Sequence, residues 1–187
     1  MIEEARLSGL PGIEREPLYH KEHHLLLKEV RERFPNAHRV ITVYIGLEVS
    51  IAAWCCEKLI DADNYLTGDS PMGVRSSGWL PNMGTLSLYY EDGRSLKEIE
   101  KLISGEGGLK SYYGTEDLEN LSRRVEDLPF EAFLYWIAKG IGGMAAILKG
   151  KPDIVILGGP WVRYEAVILK LKKRLSYLPL IESDRIR

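Results

Sequence analysis

Arg75 has the neighbours that best suit a residue for chemistry. It opens Arg75-Ser76-Ser77-Gly78-Trp79-Leu80-Pro81, and Asp61-Ala62-Asp63-Asn64 and Gly68-Asp69-Ser70-Pro71 precede it. Glycines, prolines and small polar residues in this density cannot continue a regular ladder, so the segment predicts a loop at a surface or a cleft. A guanidinium held there suits forked contact with a phosphate or a carboxylate; an arginine that meets only solvent is the other reading. Gly158-Gly159 stands between a strand-like run and a helix-like run. Glycine lets backbone amides approach a ligand, and ligands of open α/β sheets gather at the carboxyl ends of strands. A plain tight turn explains the pair equally well. His20, His23 and His24 share a helical segment in which residues four apart face the same way. No further ligand is positioned to complete a metal shell, and solvent-facing helix histidines are the favoured reading. Thr115 reads as a helix N-cap with Glu116 and Asp117 in the first turn.

The elements that must position these residues follow from periodicity. His20 to Arg33 predicts a helix with Leu25, Leu26, Leu27 and Val30 as its apolar side. Val40 to Ile45 is an apolar, β-branched run and predicts a buried strand; Val49 to Cys56 and Leu59 to Ala62 predict two more, joined tightly through Glu57-Lys58. Ser95-Leu96-Lys97-Glu98 is a capping box that starts a helix ending near Gly105, and Asp117 to Val125 predicts a second short helix. Phe133, Trp136, Ile137, Gly140, Ile141, Met144 and Leu148 recur at helical spacing until Gly150 stops the run. Gly140, Gly142 and Gly143 each cost that helix about 1 kcal/mol relative to alanine, which close packing against a sheet would offset. Asp153 to Leu157 predicts a buried strand, a helix follows Pro160, and Leu178 to Ile181 predicts a last strand. By periodicity alone this is a mixed α/β chain.

The 187 residues suffice for one domain, with 1–38 as an N-terminal loop and helix and 39–187 as the core. A net charge of −2 with both signs interspersed argues against a nucleic-acid partner, which calls for a basic stripe. The basic residues near the end, from Lys170 to Arg187, read as a solvated face. No apolar run has membrane-spanning length, and Met1-Ile2-Glu3-Glu4 lacks the start of a signal peptide, so a cytoplasmic location is expected. Cys55 and Cys56 are adjacent in a strand, cannot bridge each other in the usual geometry, and predict two buried, reduced thiols.

Several segments, in order, resemble the butyrate kinases, acyl kinases of the acetate kinase group in the actin-like ATPase superfamily. Ala5-Arg6-Leu7-Ser8-Gly9-Leu10-Pro11-Gly12-Ile13-Glu14-Arg15 resembles their A-R-x-S-G-x-P-x-I-E-R, and Tyr19-His20 falls on a Phe-His pair. The Asp61–Pro81 segment resembles D-x-x-N-A-L-x-G-E-G-P-F-S-x-x-R-S-G-G-L-P. Ser104-Gly105-Glu106-Gly107-Gly108-Leu109 and Tyr113-Gly114-Thr115-Glu116-Asp117 are similar to G-K-G-G-L and L-G-T-N-D. Ile137 to Gly150 follows the family's long helix, and Ile156-Leu157-Gly158-Gly159 its I-L-T-G-G. The resemblance implies a ribonuclease-H-like (actin-like ATPase) α/β domain, a mixed sheet with flanking helices, corresponding to the nucleotide-binding second half. It implies phosphoryl transfer between ATP, with Mg²⁺, and a short-chain carboxylate. Arg75 and His20 would face the transferring phosphoryl group, Tyr44 and Gly46 would lie at the phosphate loop, and Thr115, Glu116, Asp117, Gly158 and Gly159 would lie at the nucleoside.

The departures bear on activity. Tyr44-Ile45-Gly46-Leu47-Glu48 stands where the family has H-L-G-G-G, so only Gly46 of the glycines remains and Glu48 puts a negative charge near the phosphates. The first domain's phosphate hairpin and the closing segment with a metal-linked glutamate have no counterpart, and no metal ligand is assigned. The expectation is therefore a domain that is incomplete or inactive alone, either half of a split kinase whose first domain is a separate chain, a non-catalytic assembly domain, or a remnant. Trp79, Leu80 and Trp161 are expected to be exposed and to drive homo-oligomer formation or partner binding; the alternative is that Pro160, Trp161 and Leu47 are local replacements that close the cleft and leave a stable monomer. Arg75, Gly46, Gly158 and Gly159 are expected to open onto one concave surface.

Overall fold

The computed structural model describes all 187 residues. Strands β1 (Arg39–Ile45), β2 (Val49–Cys55) and β3 (Lys58–Ala62) form an antiparallel meander, and β4 (Ile154–Gly158) and β5 (Leu180–Glu182) add to it in parallel, giving the order β3-β2-β1-β4-β5. The helices are α1 (Glu3–Arg6), α2 (Glu22–Arg33), α3 (Asn82–Tyr90), α4 (Leu96–Ser104), α5 (Gly108–Tyr113), α6 (Leu118–Ser122), α7 (Leu128–Ile147) and α8 (Glu165–Arg174). A 3-10 turn at Pro160–Arg163 joins β4 to α8.

Alternation along β1 sorts its side chains between two cores. Ile41, Val43 and Ile45 face a large cluster completed by α7, with Phe130, Phe133, Ile137 and Ile141 all fully buried. Val40 faces the smaller cluster under α2, with Leu26, Leu27, Val30, Trp54 and Ile156. Each such side chain contributes about 1.5–3 kcal/mol by leaving water. The strands read at Val40 to Ile45, Val49 to Cys56, Leu59 to Ala62 and Asp153 to Leu157 and the long helix packed on the sheet are as the sequence predicts. Of the three helix glycines, only Gly140 lies at a close contact, with a Cβ there falling 2.7 Å from Ile51 Cδ1; nothing lies within 4 Å at Gly143.

Polar networks stitch distant segments to this frame. His23 is fully buried, with Nδ1 2.7 Å from Thr42 Oγ1 and Nε2 2.8 Å from Ser50 Oγ. Trp54 Nε1 donates to Thr42 Oγ1, and Thr42 in turn donates to the Ala52 carbonyl. With its one proton used there, Thr42 receives the Nδ1–H of His23, and Nε2 accepts from Ser50. Burial, followed by the nearby His20 and His24, lowers this imidazole to about 3. The expected solvent-facing histidine is thus a neutral core residue, because the α2 face that carries it also carries Leu26, Leu27 and Val30. Glu29 is 1 % exposed and accepts from Ser183 Oγ, Asp184 N and Arg33 Nη1. Asp153 accepts from the amides of His38 and Arg39 and pairs with the Arg39 guanidinium at 2.6 Å, which hold its carboxyl at about 2.

Two further local expectations change. The β2–β3 hairpin turns at Cys56-Glu57, both with positive φ (48° and 70°), so Cys56 is exposed and Cys55 half-buried rather than both being buried. Trp161 is fully buried instead of exposed; it packs on Phe130 and Phe133, and its Nε1 donates to the Gly46 carbonyl. No helix is long and apolar enough to cross a membrane.

Candidate functional site

The Asp61–Pro81 loop is held from both ends. Arg15 Nε donates to Asp69 at 2.7 Å and Nη1 to Asp61 at 3.1 Å, and Asn64 accepts from the amides of Leu66 and Thr67. Asp63 is buried and accepts from Ile51 N; burial, with Asp69 next, raises its carboxyl well above the usual range. Further along, Val74 N and Arg75 N both donate to the Leu47 carbonyl, which bolts the Arg75 loop to the turn between β1 and β2. Gly107 N donates to Arg75 O, and Leu109 N to Gly73 O. At Gly108, with φ +62°, an added Cβ would fall 2.2 Å from Gly73 O, so that backbone approach admits only glycine.

Arg75 thereby reaches the carboxyl end of β1. Its Nε lies 3.6 Å from Glu48 Oε1 and 3.7 Å from Glu116 Oε2. His20, just ahead of α2, lies there too, with Nε2 3.9 Å from Glu48 Oε2 and Nδ1 3.7 Å from Glu22 Oε2. Its ring lies between Tyr44, at 4.1 Å between centroids, and Tyr65, at 5.0 Å. Burial lowers the His20 pKa, opposed by Glu22 and Glu48, and burial raises the Tyr44 and Tyr65 hydroxyls. Arg75 Nε and His20 Nε2 are buried without a hydrogen-bond partner.

The remaining candidate residues are near but closed. Gly46 is buried, its N–H donates to Glu48 O, and a Cβ on it would fall 2.7 Å from the Tyr44 ring. Gly158 is buried beside Leu26 and Ile186. Gly159 has φ +100°, and a Cβ there would fall 2.5 Å from Ile45 O, so packing within the chain explains this glycine. The expected common open surface is therefore absent: Arg75 is partly exposed, while the three glycines are covered, chiefly by Tyr44, Leu26 and the buried Trp161. Asp117, not Thr115, caps α6, accepting from Asn120 N at 2.7 Å; Thr115 Oγ1 accepts from Asp117 N. Glu116 is also 3.5 Å from Lys110 Nζ. Tyr65 carries no local signal that singles it out, because its meeting with His20 arises from tertiary folding alone.

Clefts lie elsewhere. One of about 500 Å³ is lined by Gly68, Gly78, Trp79, Leu86 and Ile103. A second, of about 390 Å³, lies between Arg15, Asp63, Asp69, Lys139 and Gly140. Neither is lined by Arg75 or His20. No group of three His, Cys, Asp or Glu side chains is placed to hold a metal ion.

No protein-family model matches the chain. A probable butyrate kinase of Bacteroides thetaiotaomicron is 32% identical over 187 residues, covering 93% of this chain and 52% of that protein. One of Thermotoga petrophila is 33% identical over 168 residues, covering 85% of this chain and 47% of that protein. Among solved structures, a propionate kinase from Francisella tularensis has a TM-score of 0.82 at 19% identity, covering 94% of this chain and 50% of that one. An acetate kinase from Porphyromonas gingivalis has a TM-score of 0.76 at 22% identity, covering 93% and 49%. The chain spans about half the length of the curated relatives it matches.

Proposed function

From this chain's kinship with the butyrate kinases over about half of their length, we propose that it forms one wall of a carboxylate phosphotransferase site and does not turn over alone. The reaction class is phosphoryl transfer between ATP and a short-chain carboxylate. Arg75 and His20 are the groups that would face the transferring phosphoryl oxygens, since such chemistry is mostly positioning and charge neutralisation. One observation carries the reading: these two side chains, 55 residues apart in sequence, converge on a single carboxylate at 3.6 and 3.9 Å. Thr115, Glu116, Asp117, Gly158 and Gly159 belong to the nucleoside side of that reading, and Tyr44 and Gly46 to the phosphate side.

As they stand, the residues do not fit a polyphosphate or its Mg²⁺. The Gly46 amide is engaged by Glu48 O, the Tyr44 ring lies over that glycine, and Glu48 and Glu116 flank Arg75 with negative charge. The opposite wall of the cleft would have to come from outside these 187 residues, because catalytic geometry is held to fractions of an ångström and one wall cannot substitute for two. A cytoplasmic location belongs to the same reading.

The test is trapping of acyl phosphate as hydroxamate with Mg-ATP and butyrate or acetate. No product above background is expected from the chain alone. Robust turnover that disappears in Arg75→Ala would overturn the inactivity and retain the site. A second reading, an assembly domain, is favoured by α3, none of whose residues is buried, with Met83 and Tyr90 74 % and 77 % exposed. A monomer in sedimentation at high concentration would remove it.

A further inference from the structure

Glu48 sits at the turn between β1 and β2, and two of the orphaned polar atoms of this region, Arg75 Nε and His20 Nε2, face its carboxylate. Arg75 Nε is 3.6 Å from Oε1 and His20 Nε2 3.9 Å from Oε2, both too far for a hydrogen bond; neither atom has a hydrogen-bond partner, and Glu116 Oε2 stands 3.7 Å from the same Arg75 Nε. Buried polar atoms without partners are uncommon and call for a specific explanation. The other charged groups nearby are Glu22 beside His20, Glu116 beside Arg75, and Lys110 one step further, beside Glu116. The His20 ring itself is fixed between Tyr44 and Tyr65. The pair is thus built to face an anion, and the anion it faces is part of the chain.

We infer that Glu48 is the resident anion of the Arg75–His20 pair and that its charge keeps phosphate and short carboxylates out. The inference rests on reading Arg75 and His20 as the phosphoryl-facing pair. A tethered carboxylate competes at the effective concentration of a short loop, which is millimolar or above. With Glu116 also beside Arg75 and Glu22 beside His20, a free oxyanion entering the gap meets three carboxylates, against the Arg75 guanidinium and, behind Glu116, the Lys110 ammonium. Moving Glu48 aside is not enough to admit an anion; its charge has to be removed or paired elsewhere.

The experiment titrates inorganic phosphate, and in a parallel arm butyrate, into the full chain. Binding is read from the His20 ring and Arg75 Nε–H resonances. Glu48→Gln removes the charge and keeps the shape; Glu48→Gly removes both, guarding against a glutamine that rebuilds the same contact. The unmodified chain is expected to show no saturable shift. Both variants are expected to bind at least one anion about tenfold or more tightly, the scale of one like charge removed at this distance. Adding Arg75→Ala should abolish that gain. Folded variants that bind neither anion, an unmodified chain that binds as tightly as they do, or binding that survives Arg75→Ala would each overturn the inference. Because no turnover is read, absence of acyl phosphate in the hydroxamate assay leaves this result intact.

Discussion

Replacing His23 with glutamine tests whether the α2 helix, and with it His20, is anchored by a histidine that must stay neutral. The imidazole is closed in by Thr42 and Ser50 at 2.7 and 2.8 Å, with no carboxylate to receive a second charge. Its folded value of about 3 lies below its ordinary 6.5, so the unfolded chain binds the proton more readily. The sign follows: this contribution is fully present above pH 6.5 and is lost as pH falls from there toward 3. Between pH 7 and pH 5 the loss through this one group is about 2 kcal/mol, and over the whole window roughly 5 kcal/mol. Urea denaturation at several pH values, followed by far-UV circular dichroism, gives the stability of the unmodified chain and of His23→Gln. At pH 7.5 the variant should be weaker by about 1–3 kcal/mol for its imperfectly replaced buried bonds. The difference between the two should shrink by about 2 kcal/mol on going to pH 5. Asp63, whose raised carboxyl acts with the opposite sign in acid, is common to both proteins and cancels. Parallel pH curves for the two proteins would refute the reasoning, because they would mean that the His23 proton is not linked to folding.

Gly159→Ala forces a Cβ to within 2.5 Å of Ile45 O at a φ of +100°, so a loss of at least about 1–3 kcal/mol is expected in chemical denaturation; an unchanged midpoint would show that the β4–Pro160 junction yields freely. Asp153, with its carboxyl at about 2, contributes stability present above its unfolded value and lost as pH falls toward 2. Asp153→Asn should therefore flatten the acid limb of an unfolding-versus-pH profile, and an unchanged limb would rule out this carboxylate as its source.

The strands and long helices were legible because burial enforces period: Ile41, Val43 and Ile45 on one face of β1, and Phe133, Ile137, Ile141 and Met144 along α7, are patterns the sequence states directly. Helix α3 escaped because nothing in Asn82–Tyr90 is buried, so no apolar stripe marks it. The Arg75 loop could be read from its composition, since its glycines and prolines exclude a ladder. What surrounds Arg75 could not. Whether Glu48 repels a ligand or sits between Arg75 and His20 depends on the Leu47 carbonyl accepting two amides from the loop, a long-range bond with no signature in either segment. Trp161 was expected at an uncovered cleft wall because the resemblance places a second domain over it; its burial rests on the ring pair Phe130 and Phe133, a tertiary contact with no local signature.

The Glu29 carboxylate has a consequence for how the chain is made. Its partners Ser183 and Asp184 are 154 and 155 residues downstream. A ribosome adding 5–20 residues each second delivers them roughly 8–30 s after Glu29. Until then Glu29 has only Arg33 of its own helix as a partner, so α2 settles over the sheet with two of that carboxylate's three bonds unmade, and β5 is not yet there to extend the sheet. The α2 face of the nascent meander is therefore held less firmly over that interval than in the finished chain. That interval is when a chaperone would find Trp54 and Val40 accessible, and slowing translation late in the message would lengthen it.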